Sequence, residues 1–194
     1  VKNSGYVETE RMRWRRFREA DAQHLYELDN DPEVMRYING GTHTPHEVIC
    51  SEILPVFLRW DETFPPGGFW AAEERTTGEF VGWFSFRPTN ASNDEVALGY
   101  RLCRAMWGRG YATEGVRLLA GRGFCEWGIK CVSATVYEKN QASRRVLEKI
   151  GMTMVRRFRL TPEEIAGADT NHSESAAVWD GDDLEYALER VDWK

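Results

Sequence analysis

Apolar and polar positions alternate with period two from Val96 to Leu102: Val96, Leu98, Tyr100 and Leu102 fall on one face, Ala97, Gly99 and Arg101 on the other. That pattern predicts a strand, with Glu95 at its start. Further on the period changes, and Ala112, Val116, Leu119, Ala120, Phe124 and Trp127 form one stripe at helical spacing. Between the two lies Trp107-Gly108-Arg109-Gly110-Tyr111-Ala112-Thr113-Glu114-Gly115. A second strand is predicted from Lys130 to Tyr137, followed by a short helix that Asn140 caps and Gly151 stops.

The flanking segments read in the same way. A strand is expected from Glu8 to Phe17 and a helix from Asp21 to Asn30. A longer helix runs from Thr44 to Asp61, with Ile49, Ile53, Phe57 and Trp60 on one stripe and a kink at Pro55. Thr44, Pro45 and Glu47 read as its capping box. After the break at Pro65-Pro66-Gly67-Gly68, a hairpin is predicted from Phe69 to Glu73 and Glu79 to Arg87 around Thr76-Thr77-Gly78. A strand from Met152 to Leu160 comes next, and Asp183 to Val191 closes the sheet with Leu184, Tyr186 and Leu188 on one face. No repeat or linker interrupts the chain, so a single domain over residues 1–194 is expected.

The connection from Thr161 to Asp182 is longer than compact domains ordinarily use, and such loops are often functional. Its Glu163, Glu164, Asp169, Glu174 and Asp180 have two readings: plain solvated surface, or attraction of a cationic amine to a cleft mouth.

Charge and composition narrow the function classes. A formal net charge of -6 offers no basic footprint, so a nucleic-acid partner is disfavoured. Arg11, Arg13, Arg15, Arg16 and Arg18 make a local basic run, but Met12, Trp14 and Phe17 interleave with it, which reads as a strand with a solvated basic face. No apolar run approaches the ~20 residues needed to cross a bilayer, so no membrane role is expected, and no secretory segment opens the chain. Cys50, Cys103, Cys125 and Cys131 are irregularly spaced in apolar contexts, the pattern of reduced buried thiols in a cytoplasmic protein. His43 and His46 have Pro45 between them and mark a helix start, and His24 reads as a surface side chain, so no metal site is expected.

The chemistry concentrates at the strand-to-helix junction. A glycine-rich turn lets backbone N–H groups approach an anion, and the first helical turn adds unpaired donors and a partial positive charge. Neither a P-loop lysine nor the dinucleotide-binding spacing is present, and the glycines alone do not separate a phosphate site from an ordinary loop. In the later helix Asn140, Ser143 and Leu147 share a face. Taken singly, Asn140 is a cap and Ser143 a solvated first-turn residue.

Together these segments resemble the GNAT superfamily of acyl-CoA-dependent N-acetyltransferases, and most closely its ribosomal-protein N-terminus (Rim-type) branch. The resemblance rests on Leu98-Gly99-Tyr100-Arg101-Leu102, on Trp107 through Glu114 and on Asn140 through Gly151, in that order and spacing. It extends more weakly over Glu8 to Arg15 and Asp183 to Arg190. The implied fold is α/β: a mixed, mostly antiparallel central sheet of six to seven strands with a splayed central pair and about four flanking helices.

The resemblance also implies roles. Acetyl-CoA would be the cosubstrate, without a metal, and the acceptor a primary amine, on a protein or peptide N-terminus or a small molecule, handled by a monomer or homodimer. The backbone of Leu102, Cys103 and Arg104 would pair with pantetheine, and the amides of Arg109, Gly110, Tyr111, Ala112 and Thr113 would meet the pyrophosphate. Asn140 would touch the cofactor backbone and Ser143 would approach the thiol. The superfamily often has Arg or Gln where this chain has Trp107, and Tyr where it has Leu147; that Tyr is the commonest acid for the departing thiolate. The Rim-type branch commonly has Leu there and Ser at the position of Ser143, which makes Ser143 the candidate acid.

An α-amino group ionises at about 7.7 to 8.0 against about 10.4 for lysine, so an N-terminal acceptor needs only a weak base. Glu95, at the start of the central strand, is the candidate base, the alternative being a strand-end charge in water. Antibiotic-type acetylation of a small amine and a non-catalytic acyl-CoA-binding module are the other readings.

Overall fold

The computed structural model describes residues 6–63, 67–89, 93–159 and 181–193. Among the described residues eight strands form one sheet: β1 (Tyr6–Glu8), β2 (Met12–Arg16), β3 (Gly68–Glu74), β4 (Phe80–Pro88), β5 (Glu95–Leu102), β6 (Cys131–Tyr137), β7 (Thr153–Phe158) and β8 (Asp183–Glu189). Their order is β1-β2-β3-β4-β5-β6-β8-β7, and every neighbouring pair is antiparallel except β5 and β6. A parallel pair needs a crossover, and α5 (Tyr111–Glu126) supplies it.

The strand expected from Glu8 to Phe17 is β2, which begins only at Met12; Glu8 ends β1, and the two form a hairpin turned where Thr9 N–H donates to Met12 C=O at 2.9 Å. This hairpin brings the sheet to eight strands rather than six or seven. The final strand does not close the sheet: β8 inserts between β6 and β7, pairing along both edges, and leaves β7 at the margin.

Both faces of β4 are covered, which explains its nearly unbroken apolar run. Trp14, Phe84, Phe86 and Leu98 pack on one side with Val116, Leu119 and Phe124 of α5 and Leu147 of α6 (Gln141–Lys149). Phe69 and Trp83 pack on the other with Leu25 and Leu28 of α1 (Ala22–Asp29) and Phe57 of α4 (Leu54–Thr63). Helix α5 lies close against the sheet because position 115 has no side chain: a Cβ there would come within 2.4 Å of the Phe84 ring.

The helical run before the sheet differs from its expected form. The cap of α3 (His46–Val48) is Pro45, with no side-chain capping bond. Thr44 is buried and bonded through its backbone to the Asn30 side chain, so it ties down the end of α1 rather than capping. Just before Pro55 the run widens into a π turn at Ile49–Ile53, where Leu54 N–H reaches Ile49 C=O. Pro55 then falls in the first turn of α4, where its missing N–H costs least.

The basic run is less solvated than its alternation suggests. Arg15 is buried, with its guanidinium bonded to both carboxylate oxygens of Asp21 at 2.7 Å and to Glu73 at 2.7 Å. The cysteines are all free thiols, but Cys50 and Cys125 are exposed rather than buried, and Cys103 and Cys131 are half-buried. His24 stacks on Phe80 with centroids 4.7 Å apart. The acidic loop beyond Leu160 lies outside the described residues up to position 180.

Candidate active site

The decisive feature is how little of β5 pairs with β6. Their register covers only Glu95↔Cys131, Val96↔Val132 and Ala97↔Ser133, whereas β4 stays paired with β5 as far as Leu102. From Leu98 onward the two central strands diverge. The Glu95 carbonyl accepts from Thr89 N–H and Cys103 N–H donates to Val81 C=O, each at 2.9 Å, so odd-numbered residues turn their backbone groups toward β4. Alternation then aims the N–H and C=O groups of Leu98 and Tyr100, and the N–H of Leu102, into the gap.

That geometry bears on the expected pantetheine contacts. The Cys103 amide is already used by β4, and the Leu102 carbonyl accepts from the Trp107 indole N–H at 2.9 Å. The Arg104 side chain pairs at 3.0 Å with Asp31, the cap of α2 (Pro32–Met35), and its backbone carbonyl accepts from Trp107 N–H at 3.1 Å. The free edge that can hold an extended amide chain is therefore Leu98 to Leu102. Burial pushes the Cys103 thiol up to about 11, which makes it a poor nucleophile.

At the far end of the gap stands the N-terminus of α5. Its cap, Gly110, has φ +86°, a left-handed conformation that costs glycine little. The first bond into the helix runs from Glu114 N–H to Gly110 C=O at 3.1 Å, so the N–H groups of Tyr111, Ala112 and Thr113 have no partner within the helix. Buried Tyr111 anchors this turn by donating its hydroxyl to Glu74 at 3.1 Å. Hydrogen bonds from Thr77 and Thr76, with that from Tyr111, hold the Glu74 carboxyl down at about 2 against the opposing effect of burial. Arg109 is half exposed beside the turn. Three open amides, a helix dipole and a nearby guanidinium make a site for a phosphate group.

The third wall is the start of α6. Asn140 caps it as expected, its side-chain carbonyl accepting from Ser143 N–H at 3.1 Å. The Ser143 hydroxyl lies 2.8 Å from the hydroxyl of Tyr100, on the splayed half of β5. Burial pushes the Tyr100 phenol up to about 12, with the Ser143 hydrogen bond working weakly against it. Tyr100 is the residue the sequence reading missed: the period-two pattern put it on the correct face, but its bond to a residue on another element has no sequence signature. Leu147 is buried in the core and brings no polar group to the gap.

Glu95 is not brought to this cluster. It is exposed at the closed end of the β5–β6 pair, opposite Cys131 and near Lys130. Tyr100 is five residues further along the strand, roughly 16 Å at the usual strand rise. Asp29 at the end of α1 forms a buried ion pair with Arg101, which holds the α1–α2 elbow against the open end of β5, on the face away from α5 and α6. Among the described residues no group of three or more metal-ligating side chains occurs.

An open helix N-terminus, a free strand edge and a hydroxyl between diverging strands fit the parts of an acyl-CoA molecule: pyrophosphate, pantetheine amides and thioester. Residues 11–153 match the family model described as "Acetyltransferase (GNAT) domain". The chain is 33% identical over 163 residues to YkkB, an uncharacterized protein of Bacillus subtilis (strain 168), covering 81% of this chain and 91% of that one. It is 32% identical over 139 residues to the FsC-acetyl coenzyme A-N(2)-transacetylase of Aspergillus fumigatus, covering 68% of this chain and 57% of that protein. The solved ribosomal-protein-S5-alanine acetyltransferase from Vibrio fischeri shares the fold, with a TM-score of 0.69 at 15% identity, covering 97% of this chain and 98% of that one.

Proposed function

The chain belongs to the GNAT family and is an acetyl-CoA-dependent N-acetyltransferase; from that premise we propose that its acceptor is the α-amine of a protein or peptide N-terminus. The observation that carries the reading is the hydroxyl pair of Tyr100, on the open stretch of β5, and Ser143, in the first turn of α6, with no carboxylate drawn to it from Glu95. A site with a proton donor and no carboxylate base suits an amine that is already partly neutral near pH 7, and an α-amine, ionising at about 7.7 to 8.0, is such a group.

The roles follow from position. The Gly110 amide and the open amides of Tyr111, Ala112 and Thr113 take the pyrophosphate. The backbone of Leu98 to Leu102 takes the pantetheine, and its N–H groups polarise the thioester carbonyl. The neutral amine attacks that carbonyl from the side of the α1–α2 elbow, the carbon–sulfur bond breaks, the departing thiolate takes the Ser143 proton, and the proton shed by the attacking nitrogen returns through solvent to the serine oxygen. Asn140 holds the first turn of α6 so that Ser143 stays in register. A reducing compartment, the cytoplasm, suits four free thiols.

A small-molecule amine is the second reading, favoured by the similarity to the fungal N(2)-transacetylase. Free-thiol release from acetyl-CoA separates the two when three acceptors are compared: a peptide with a free N-terminus, the same peptide blocked at its N-terminus with a lysine exposed, and a polyamine. Preference for the free N-terminus by at least about tenfold in kcat/KM supports the proposal, and a higher value for the polyamine overturns it.

A further inference from the structure

Arg11 comes from the turn between β1 and β2 and reaches the N-terminus of α5. Its Nη1 donates to the Arg109 carbonyl at 2.7 Å, its Nε donates to Glu114 Oε2 at 2.7 Å and its Nη2 lies 2.6 Å from the same oxygen. Its backbone N–H adds a bond to Glu114 Oε1 at 3.1 Å, and its guanidinium lies 4.5 Å from the centre of the Tyr111 ring. A Cβ on Gly110 would come within 3.3 Å of Nη2. One guanidinium thus backs the whole turn.

We propose that Arg11 is a positioning residue of the acyl-CoA site, one that aims the anion-binding amides and neutralises Glu114 beneath the bound pyrophosphate. This rests on the reading of the α5 N-terminus as the pyrophosphate site. The Arg109 carbonyl and the Gly110 N–H belong to one trans peptide unit, so drawing the oxygen to Arg11 points the N–H the opposite way. Without Arg11 that plane is free to rotate and present a carbonyl oxygen to an anion.

The second effect is electrostatic. Glu114 lies in the first turn of α5, where a carboxylate suits the helix dipole but repels a bound phosphate. Burial works to raise its carboxyl, yet hydrogen bonds from Thr9 and Arg11 outweigh it and keep the group ionised, below its ordinary range. Arg11 is the cation that balances the charge.

The test is CoA binding by calorimetry on the full chain, with a thermal midpoint for every variant. R11A should weaken CoA by about ten- to a hundredfold, the scale of one charge-assisted hydrogen bond. E114Q alone should not weaken CoA, because Arg11 then faces the pyrophosphate uncompensated, and R11A/E114Q should bind CoA at least about threefold tighter than R11A, because the uncompensated carboxylate is gone. A purely structural staple would lower the midpoint of R11A and gain no affinity from E114Q. Folded R11A within about twofold of the parent, or a double variant no tighter than R11A, overturns the proposal. If R11A does not fold, R11K carries the test: it keeps the charge but not the two-sided geometry, and parent-like affinity would overturn the idea. A parent protein that fails to bind CoA would instead overturn the site reading beneath it.

Discussion

The Tyr100 and Ser143 hydroxyls, 2.8 Å apart, join the splayed half of β5 to the first turn of α6. Ser143 is therefore not a freely rotating surface serine. Its oxygen has a fixed partner, which leaves its own proton free to point elsewhere when Tyr100 is the donor.

The first prediction follows from that bond. S143A should lower kcat by roughly ten- to a thousandfold with little change in KM for acetyl-CoA, since general acid catalysis contributes on the order of 10² to 10⁴. Y100F should cost less, because it removes only the partner that orients Ser143. In a double-mutant cycle Y100F should add almost nothing to S143A. With its pKa pushed up to about 12, Tyr100 stays protonated at moderate pH. The rate should therefore show no loss from its ionisation between about pH 7 and pH 9. Additive effects of the two substitutions, with chemistry rate-limiting, would sink the assignment.

Gly110 provides the second. Valine there would face φ +86° and place its Cβ 3.3 Å from the Arg11 guanidinium. G110V should weaken CoA strongly while circular dichroism still shows a folded chain. Parent-like CoA affinity in the folded variant would remove the pyrophosphate from this helix end.

The buried pair of Asp29 and Arg101 sets a stability prediction. D29A leaves a guanidinium without its partner on a side chain only 8% exposed. Such breaks cost about 3 to 5 kcal/mol, or roughly 6–20 °C of Tm at about 2–4 °C per kcal/mol for a chain of this size. The double substitution of Asp29 to Leu and Arg101 to Met should recover much of the loss. Calorimetry that finds D29A and the double variant equally unstable would contradict the pairing argument.

Asp21 sets the acid limb of stability. Burial would raise its carboxyl, but Arg15 and the Arg18 amide overcome that effect and hold it below its ordinary 3.8. A depressed folded pKa means that the unfolded chain binds the proton more readily. The stabilisation is thus present above about pH 4 and fades as pH falls through the folded value. Burial raises Asp183 and gives it the opposite sign, so the comparison must isolate one residue. Urea midpoints at about pH 6 and about pH 3 should differ less in D21N than in the parent. An unchanged difference would show that Asp21 does not carry the acid sensitivity.

By itself, the sequence determined the local elements and the parts of the site that lie within one element. Period two placed β5, the helical stripe placed α5, and Asn140 and Gly151 bounded α6, because each depends on neighbours a few residues away. The glycine turn, the Asn140 cap and the absence of a hydroxyl at Leu147 were legible for the same reason. Only the tertiary structure decided that β8 inserts between β6 and β7, that β5 and β6 separate after Ala97, and that Glu95 stands at the closed end of that pair. It also turned a presumed solvated basic face into Arg15 buried on Asp21 and Arg11 bound to Glu114, 103 positions away. Tyr100 and Ser143 meet across 43 positions. Contacts of this range depend on sheet order and on where strands diverge, and a one-dimensional pattern of polar and apolar residues holds neither.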